Sequence, residues 1–219
     1  LAPAAAAQVI PALEKAAEKG IPVIIVDTDV PWPKKVTYVG TNNYEGGKLA
    51  GGRVIQSVGG PAEVGLITGI PGEETHEGRK RGFKEALAAE PRLQLVAEQP
   101  ANSERAMAMN VMENMLTARP KLAAVFATSD QMALGALEAI QSRRAGPPVR
   151  LVSFDAGQEV LNLIRQGKVD AVVAQRPFQM GKRGVEAALR AIAKQPVEPV
   201  IDTGTALITK ENVDRFQNE

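Results

Sequence analysis

Residues 123–136 read Ala-Ala-Val-Phe-Ala-Thr-Ser-Asp-Gln-Met-Ala-Leu-Gly-Ala, and their character changes halfway along. The first part is apolar, which is typical of a buried β-strand, and it ends in the polar residues Thr128, Ser129 and Asp130. From Asp130 onward apolar residues recur at helical spacing, which predicts a helix over Asp130–Ser142. A strand, a polar turn and a helix in this order form the repeating unit of a parallel α/β sheet.

The same unit recurs along the whole chain. Predicted strands lie at Ile21–Asp27, Thr37–Asn42, Ala62–Thr68, Leu93–Gln99, Ala123–Ser129, Val149–Asp155 and Asp170–Gln175. Predicted helices lie between them, at Ala4–Lys19, Tyr44–Ser57, Glu73–Ala89, from an N-cap at Ser103 onward, and at Asp130–Ser142, Glu159–Arg165 and Phe178–Lys194. Most of the strands are apolar nearly throughout, so we expect helices on both faces of the sheets.

Charge and composition exclude several classes of function. The 26 Lys and Arg residues oppose 25 Asp and Glu, for a net charge of +1, so no global field attracts nucleic acid or an anionic membrane. The chain has no Cys and one His, which excludes thiolate catalysis and Cys-ligated or multi-His metal sites. No apolar run reaches the roughly 18 residues that a membrane-spanning helix needs. We therefore expect no nucleic-acid partner, no metal and no stable membrane insertion.

Polar residues lie at the ends of the predicted strands. In open parallel sheets, ligands bind outside the carboxyl ends of the strands. Carboxylates, amides, hydroxyls and an Arg at this edge suit a neutral polyhydroxylated ligand, because each sugar hydroxyl both donates and accepts. The groups that end the strands are Asp27-Thr28-Asp29, Thr41-Asn42-Asn43, Thr128-Ser129-Asp130, Phe154-Asp155 and Gln175-Arg176.

Each of these residues also has a purely structural interpretation. Asp130 stands at a helix start and is expected to cap it rather than bind ligand. An unpartnered carboxylate at the end of an apolar run is costly, so Asp27 and Asp155 need partners, for which ligand hydroxyls are favoured. Phe154 fits a core position or a stacking platform, and both stay open. Trp32, between two prolines, is expected to anchor a loop.

Enzyme signatures are absent from the sequence. It has no Gly-x-Ser-x-Gly elbow, no Gly-x-Gly-x-x-Gly after a strand, and no P-loop spacing before Lys48. The lone His76 has no Ser or Cys nucleophile in an identifiable elbow, and we expect it to face a ligand or lie at the surface. The sequence therefore favours a binding protein without cofactor over an enzyme.

A series of motifs resembles the type I periplasmic binding protein family, in particular its ribose-binding-like branch of bacterial sugar-binding proteins. The motifs follow one another in constant order along the chain, and they are residues 20–27 (GIPVIIVD), 39–51 (VGTNNYEGGKLAG), 79–83 (RKRGF), 125–136 (VFATSDQMALGA), 152–155 (VSFD) and 174–181 (AQRPFQMG).

The resemblance implies two Rossmann-like lobes with parallel sheets, joined by a three-segment hinge, that close on a sugar. Lobe 1 would comprise residues 1–41 and 176–203, and lobe 2 residues 42–175 and 204–219. It further implies ligand contacts from lobe 1 through Asp27 and Thr28. From lobe 2 they would come through Arg79, Ser129, Phe154 and Asp155, with Gln175 at the hinge.

Several positions depart from the family pattern. Thr28 and Glu77 stand where ribose binders often carry Arg, Ala2 where an amide is common, and Ser103 where an aromatic ring stacks. The departures therefore do not select ribose, and a different monosaccharide, a polyol or a cyclitol would fit the altered contacts. The chain also begins without a strand before its first helix, so we expect lobe 1 to be incomplete, with its N-terminal part removed, disordered or supplied by another chain.

The resemblance implies a periplasmic or extracytoplasmic receptor. Such a receptor is secreted, and its full-length precursor can carry a lipid anchor. It would deliver a small carbohydrate to an ABC transporter permease or a sensor. Two alternatives stay open. The same lobes form the effector-binding core of lactose-repressor-type transcription regulators, and a doubly wound sheet also carries enzymes.

Overall fold

The computed structural model of the chain describes residues 1–3, 6–143 and 146–216. This part of the chain contains seven helices and nine strands. The helices are α1 (Ala6–Glu18), α2 (Asn43–Ser57), α3 (Glu74–Ala88), α4 (Arg105–Ala118), α5 (Asp130–Ser142), α6 (Gln158–Arg165) and α7 (Pro177–Ile192). The strands are β1 (Ile24–Val26), β2 (Thr37–Gly40), β3 (Ala62–Thr68), β4 (Leu93–Pro100), β5 (Leu122–Ala127), β6 (Arg150–Phe154), β7 (Ala171–Ala174), β8 (Val200–Asp202) and β9 (Ala206–Thr209).

The chain divides into two compact units. Unit 1 comprises Leu1–Asn42 and Gln175–Thr205, and unit 2 comprises Asn43–Ala174 together with residues 206–216. The chain therefore passes between the units three times. The predicted α/β class with parallel sheets is confirmed, and the predicted elements are found within a few residues of their expected bounds.

Unit 1 is built on a three-stranded parallel sheet in the order β1-β2-β8. Neighbouring residues of β1 point to opposite faces, so Ile24 joins one apolar cluster with Ala187 of α7, and Ile25 joins another with Leu13 of α1. Trp32 belongs to the second cluster and donates from Nε1 to Glu14 Oε1 at 2.7 Å. This contact agrees with the predicted role of Trp32 as a loop anchor.

Unit 2 is built on a six-stranded sheet in the order β4-β3-β5-β6-β7-β9. All its pairs are parallel except the last, in which β9 runs antiparallel to β7. One face carries a core that includes Met112 and Met132 of α4 and α5, and the other carries Phe83, Phe126 and Phe154. Since both faces are covered, the carboxyl ends of the strands are left as the open edge of the sheet.

The start of α4 differs from the prediction. Ser103 was expected to be the N-cap, but the helix begins at Arg105 with Glu104 in the cap position. Asn102 and Ser103 both have left-handed backbone, with φ of +51° and +62°. These two residues turn the chain out of β4, which delays the helix by one residue and leaves the Ser103 hydroxyl available for another contact.

No helix within the described ranges is long and apolar enough to cross a membrane.

Candidate functional site

Two aspartates leave their strands in the same conformation, one in each unit. Asp27 follows β1 with φ +71°, and Asp155 follows β6 with φ +69°. The amide of Asp27 donates to the Val39 carbonyl at 2.9 Å, and that of Asp155 to the Val173 carbonyl at 3.0 Å. Left-handed backbone is uncommon outside glycine and marks turns that the surrounding structure enforces. Each aspartate is thus held in place at the carboxyl edge of its own sheet.

In unit 2, Asp155 lies beside a buried guanidinium. Arg79 Nη1 is 3.4 Å from Asp155 Oδ2, and the Arg79 side chain is 6% exposed whereas that of Asp155 is 30% exposed. Arg79 Nη1 also donates to the Thr128 carbonyl at 2.7 Å, and Nε donates to Asn43 Oδ1 at 2.9 Å. The Arg79 fork is therefore engaged inside the protein, and the partly exposed group of the pair is the Asp155 carboxylate.

The ring of Phe154 packs against the same guanidinium. Its ring is fully buried, and Arg79 Cζ lies 3.7 Å from the ring centroid, at cation–π distance. Gly46 of α2 packs closely against this ring, since a Cβ at this position would lie 2.7 Å from Phe154 Cε2. Of the two roles that the sequence left open for Phe154, the structure supports the core position.

Ser129, and not Asp130 as expected, is the N-cap of α5. Ser129 is buried and is the N-cap of α5, where its Oγ accepts from the Met132 amide at 3.5 Å. Asp130 is the first residue of the helix and is half-buried. Burial, and next the negative charge of Asp155, raise the pKa of the Asp130 carboxyl. Asp130 therefore lies near Asp155 and is a site candidate that sequence reasoning assigned to capping.

His76 is neither at the surface nor directed outward, which corrects the expectation from the sequence. It is 7% exposed, and its two ring nitrogens contact Thr128 Oγ1 at 2.8 Å and Ser103 Oγ at 3.0 Å. Burial, together with the positive charge of Arg79, lowers the pKa of His76 to about 4. The imidazole is therefore neutral at physiological pH.

In unit 1, the predicted residues lie at the ends of β1 and near β2. Asp27 is exposed, and the hydroxyl of the adjacent Thr28 lies 3.5 Å from Asp27 Oδ2. Tyr38 Oη donates to the Asp27 carbonyl at 2.6 Å, which fixes the turn. Gln175 Oε1 accepts from Thr41 Oγ1 at 2.6 Å, so this side chain ties the end of β2 to the start of the segment that leads into α7.

The structure thus brings three of the seven predicted residues together, because Phe154 and Asp155 both contact the guanidinium of Arg79. It adds Asn43, Thr128 and Asp130, which the sequence showed only as polar residues at strand ends. Among the residues that the structure describes, no group of three or more metal-binding side chains comes together. The arrangement offers the Asp155 carboxylate, which is held in position by Arg79 and suits hydrogen bonding to hydroxyl groups.

Comparison with known proteins gives a consistent result. Residues 1–196 match the family described as the periplasmic binding protein domain. The ribose import binding protein of Escherichia coli is 36% identical over 200 residues, which cover 91% of this chain and 67% of that protein. A D-allose-binding periplasmic protein of the same species is 28% identical over 207 residues, covering 91% of this chain and 67% of that protein.

Solved structures extend the similarity to three dimensions. An ABC transporter periplasmic solute binding protein from Actinobacillus succinogenes, with bound D-allose, superposes with a TM-score of 0.92 at 32% identity. The superposition covers 98% of this chain and 79% of that one. A solute binding protein from Bacillus halodurans, with bound myo-inositol, gives a TM-score of 0.89 at 26% identity and covers 97% of this chain and 74% of that one.

Proposed function

Because the chain belongs to the periplasmic binding protein domain family, we propose that it is the solute-binding component of a sugar transporter and binds a small sugar or sugar-like polyol. The named relatives bind ribose, D-allose and myo-inositol, and this range supports a monosaccharide or cyclitol without selecting one. They also favour transport over gene regulation, the alternative that the sequence had left open.

The observation that carries the proposal is the partly exposed carboxylate of Asp155 beside the buried guanidinium of Arg79. A carboxylate accepts hydrogen bonds from neighbouring sugar hydroxyls, and charge-assisted bonds of this kind are the stronger ones. Asp155 is held by its left-handed turn and by Arg79, so little freedom is lost when a ligand binds.

The proposal keeps the seven predicted residues, each within its own unit, but divides them by role. In unit 2, Asp155 and Ser129 are proposed as ligand contacts, and Arg79 and Phe154 as the support beneath Asp155. In unit 1, Asp27, Thr28 and Gln175 are proposed as ligand contacts of that unit.

The relatives also bear on partners and location. They are binding proteins and not enzymes, and the family implies a periplasmic or otherwise extracytoplasmic location. We propose that this chain likewise breaks no bond, needs no cofactor, and delivers its ligand to an ABC transporter permease or to a chemoreceptor.

The test is a thermal-shift and calorimetric panel of pentoses, hexoses, inositols and linear polyols on the purified chain. A ligand that binds only the folded state adds RT ln(1 + [L]/Kd), about 2.7 kcal/mol at a hundredfold excess over Kd. We expect a selective rise in Tm for one compound or a small related group. Cooperative unfolding without a shift from any compound would overturn the proposal.

A further inference from the structure

The single histidine of the chain lies in the interior of unit 2, beside the site but not in it. Its Nδ1 contacts Thr128 Oγ1 at 2.8 Å and its Nε2 contacts Ser103 Oγ at 3.0 Å. Both nitrogens thus have partners, and a neutral imidazole satisfies both by donating through one nitrogen and accepting through the other. We call these three residues, His76, Thr128 and Ser103, the His76 tether.

The tether joins three loops at the carboxyl edge of the sheet. Thr128 follows β5, Ser103 follows β4, and the ring occupies space left by Gly69 after β3. A Cβ on Gly69 would lie 2.2 Å from His76 Cδ2, so the absence of a side chain there is what admits the ring. Ser103 reaches the ring from left-handed backbone, with φ +62°, which it adopts in place of capping α4.

Thr128 is held twice from α3, one helical turn apart. His76 contacts its hydroxyl, and Arg79 donates to its carbonyl at 2.7 Å. Arg79 in turn lies 3.4 Å from Asp155. A shift of Thr128 would therefore be passed to Arg79 and from Arg79 to the partly exposed carboxylate of Asp155.

We propose that His76 is a positioning residue for solute binding, which acts through Thr128 and Arg79 on Asp155 without touching the solute. The proposal rests on the proposed function, since it assigns a role within that same site. It requires that the Thr128 contact matter and that the Ser103 contact matter less, because only Thr128 leads to Arg79.

The two nitrogens can be tested separately. An Asn side chain places a polar atom near the position of Nδ1, and a Gln side chain places one near that of Nε2. The variants are His76→Asn, His76→Gln and His76→Ala, with Thr128→Val and Ser103→Ala removing one partner each. Affinity for D-ribose, D-allose and myo-inositol is measured by calorimetry, and the Tm of each variant without sugar is measured in parallel.

We expect His76→Ala, His76→Gln and Thr128→Val to weaken binding about tenfold, the usual effect of one lost buried hydrogen bond, and His76→Asn and Ser103→Ala to stay within about threefold of wild type. If His76 had only a general structural role, the five variants would rank in the same order by their loss of Tm and by their loss of affinity. Wild-type affinity in His76→Ala, or equal losses in the Asn and Gln variants, would overturn the inference. If His76→Ala does not fold, Thr128→Val and the Asn and Gln pair decide.

Nitrogen NMR reads the tether without any sugar. Because the chain has one histidine, a ¹⁵N-histidine-labelled sample gives the imidazole signals of His76 alone. We expect a single neutral tautomer across pH 6–8, and an ordinary titration near 6.5 would show that the tether does not exist in solution. Wild-type protein that binds no sugar would overturn the proposed function. Wild-type protein that binds while His76→Ala is unaffected would overturn only the inference about His76.

Discussion

Arg79 lies with its guanidinium carbon 3.7 Å from the ring centroid of Phe154 and its Nη1 3.4 Å from Asp155 Oδ2, so one cation contacts both an aromatic ring and a carboxylate. The aromatic contact and the polar contacts have opposite effects on the energy of the buried Arg79 charge. The ring and the buried surroundings remove Arg79 from water, and Asn43, Thr128 and Asp155 compensate the charge. We propose that the buried Arg79, which donates to Asn43 and Thr128, orients Asp155 and does not itself contact the solute.

Replacement of Asp155 is expected to remove sugar binding but not the fold. In Asp155→Ala, Arg79 keeps its bonds to Thr128 and Asn43, so the sheet stays intact while the proposed acceptor is lost. The thermal shift that wild type shows with its best sugar should disappear. Asp214→Asn is the matched control, because Asp214 is 82% exposed and pairs with Arg165 away from the site. A retained shift in Asp155→Ala would exclude Asp155 as a ligand contact.

Replacement of Arg79 is expected to cost stability as well as affinity. Arg79→Lys keeps the charge but loses the planar fork that reaches Asn43 and Thr128 together, and it loses the stack on Phe154. We expect a loss of about 1–3 kcal/mol in the free energy of unfolding, because the buried acceptors on Asn43 and Thr128 can no longer both be satisfied. Urea denaturation measures it. A loss below about 0.5 kcal/mol, the range of exposed positions, would contradict the buried geometry.

Two glycines of α2 offer a matched pair. Gly46→Ala places a methyl 2.7 Å from the Phe154 ring, whereas Gly52→Ala meets nothing within 4 Å. We expect Gly46→Ala to destabilise unit 2 by about 1–3 kcal/mol through overpacking. Gly52→Ala should instead stabilise it by about 0.5–1 kcal/mol, because Ala is the better helix former. Chemical denaturation of both variants checks the prediction, and equal effects would show that α2 does not pack on Phe154.

The buried His76 predicts a loss of stability in mild acid. Its folded pKa is about 4 and its ordinary value is 6.5, so protons bind the unfolded chain first. The stability that neutral His76 contributes is complete above pH 6.5 and is lost as pH falls toward 4, by up to roughly 3 kcal/mol. Burial contributes most to the lowered pKa of His76, and the positive charge of Arg79 adds to it. The negative charges of Asp155 and Glu77 oppose the shift. Glu73 also faces the ring, with Oε2 3.7 Å from His76 Nε2.

The control for that prediction is His76→Asn, which cannot titrate. Asp130 has a raised pKa and therefore the opposite sign, since its protonation relieves a cost as pH falls. The difference between wild type and His76→Asn across pH 4–7 isolates the histidine. If both proteins lose stability equally over this range, His76 is not buried in the neutral form.

The fold could be predicted from the sequence because its signals are local. Each apolar run followed by polar residues and a helical pattern, as in residues 123–142, marks one strand and its following helix. The end of a strand also marks the open edge of the sheet, so Asp27 and Asp155 were found as candidates without any coordinates.

The contacts within the site could not be predicted in the same way. Whether Arg79 reaches a solute or stays inside depends on Phe154, Thr128 and Asn43, which lie at distant points of the chain. The backbone turn at Ser103 and the burial of His76 depend on each other and on Gly69, and none of the three carries a signal of its own. Such features arise from tertiary packing, which local pattern does not encode.

The three passages of the chain between the units have a consequence for biosynthesis. In unit 1, β2 pairs with β8 through Tyr38 and Val200, and in unit 2, β7 closes on β9 through Ala171 and Thr209. Because β8 and β9 follow every other described strand along the chain, neither sheet can be complete before they have been synthesised. Pairings over such sequence distances are slow to form. Residues 200–209, which carry β8, the third passage between the units and β9, therefore limit the completion of both sheets.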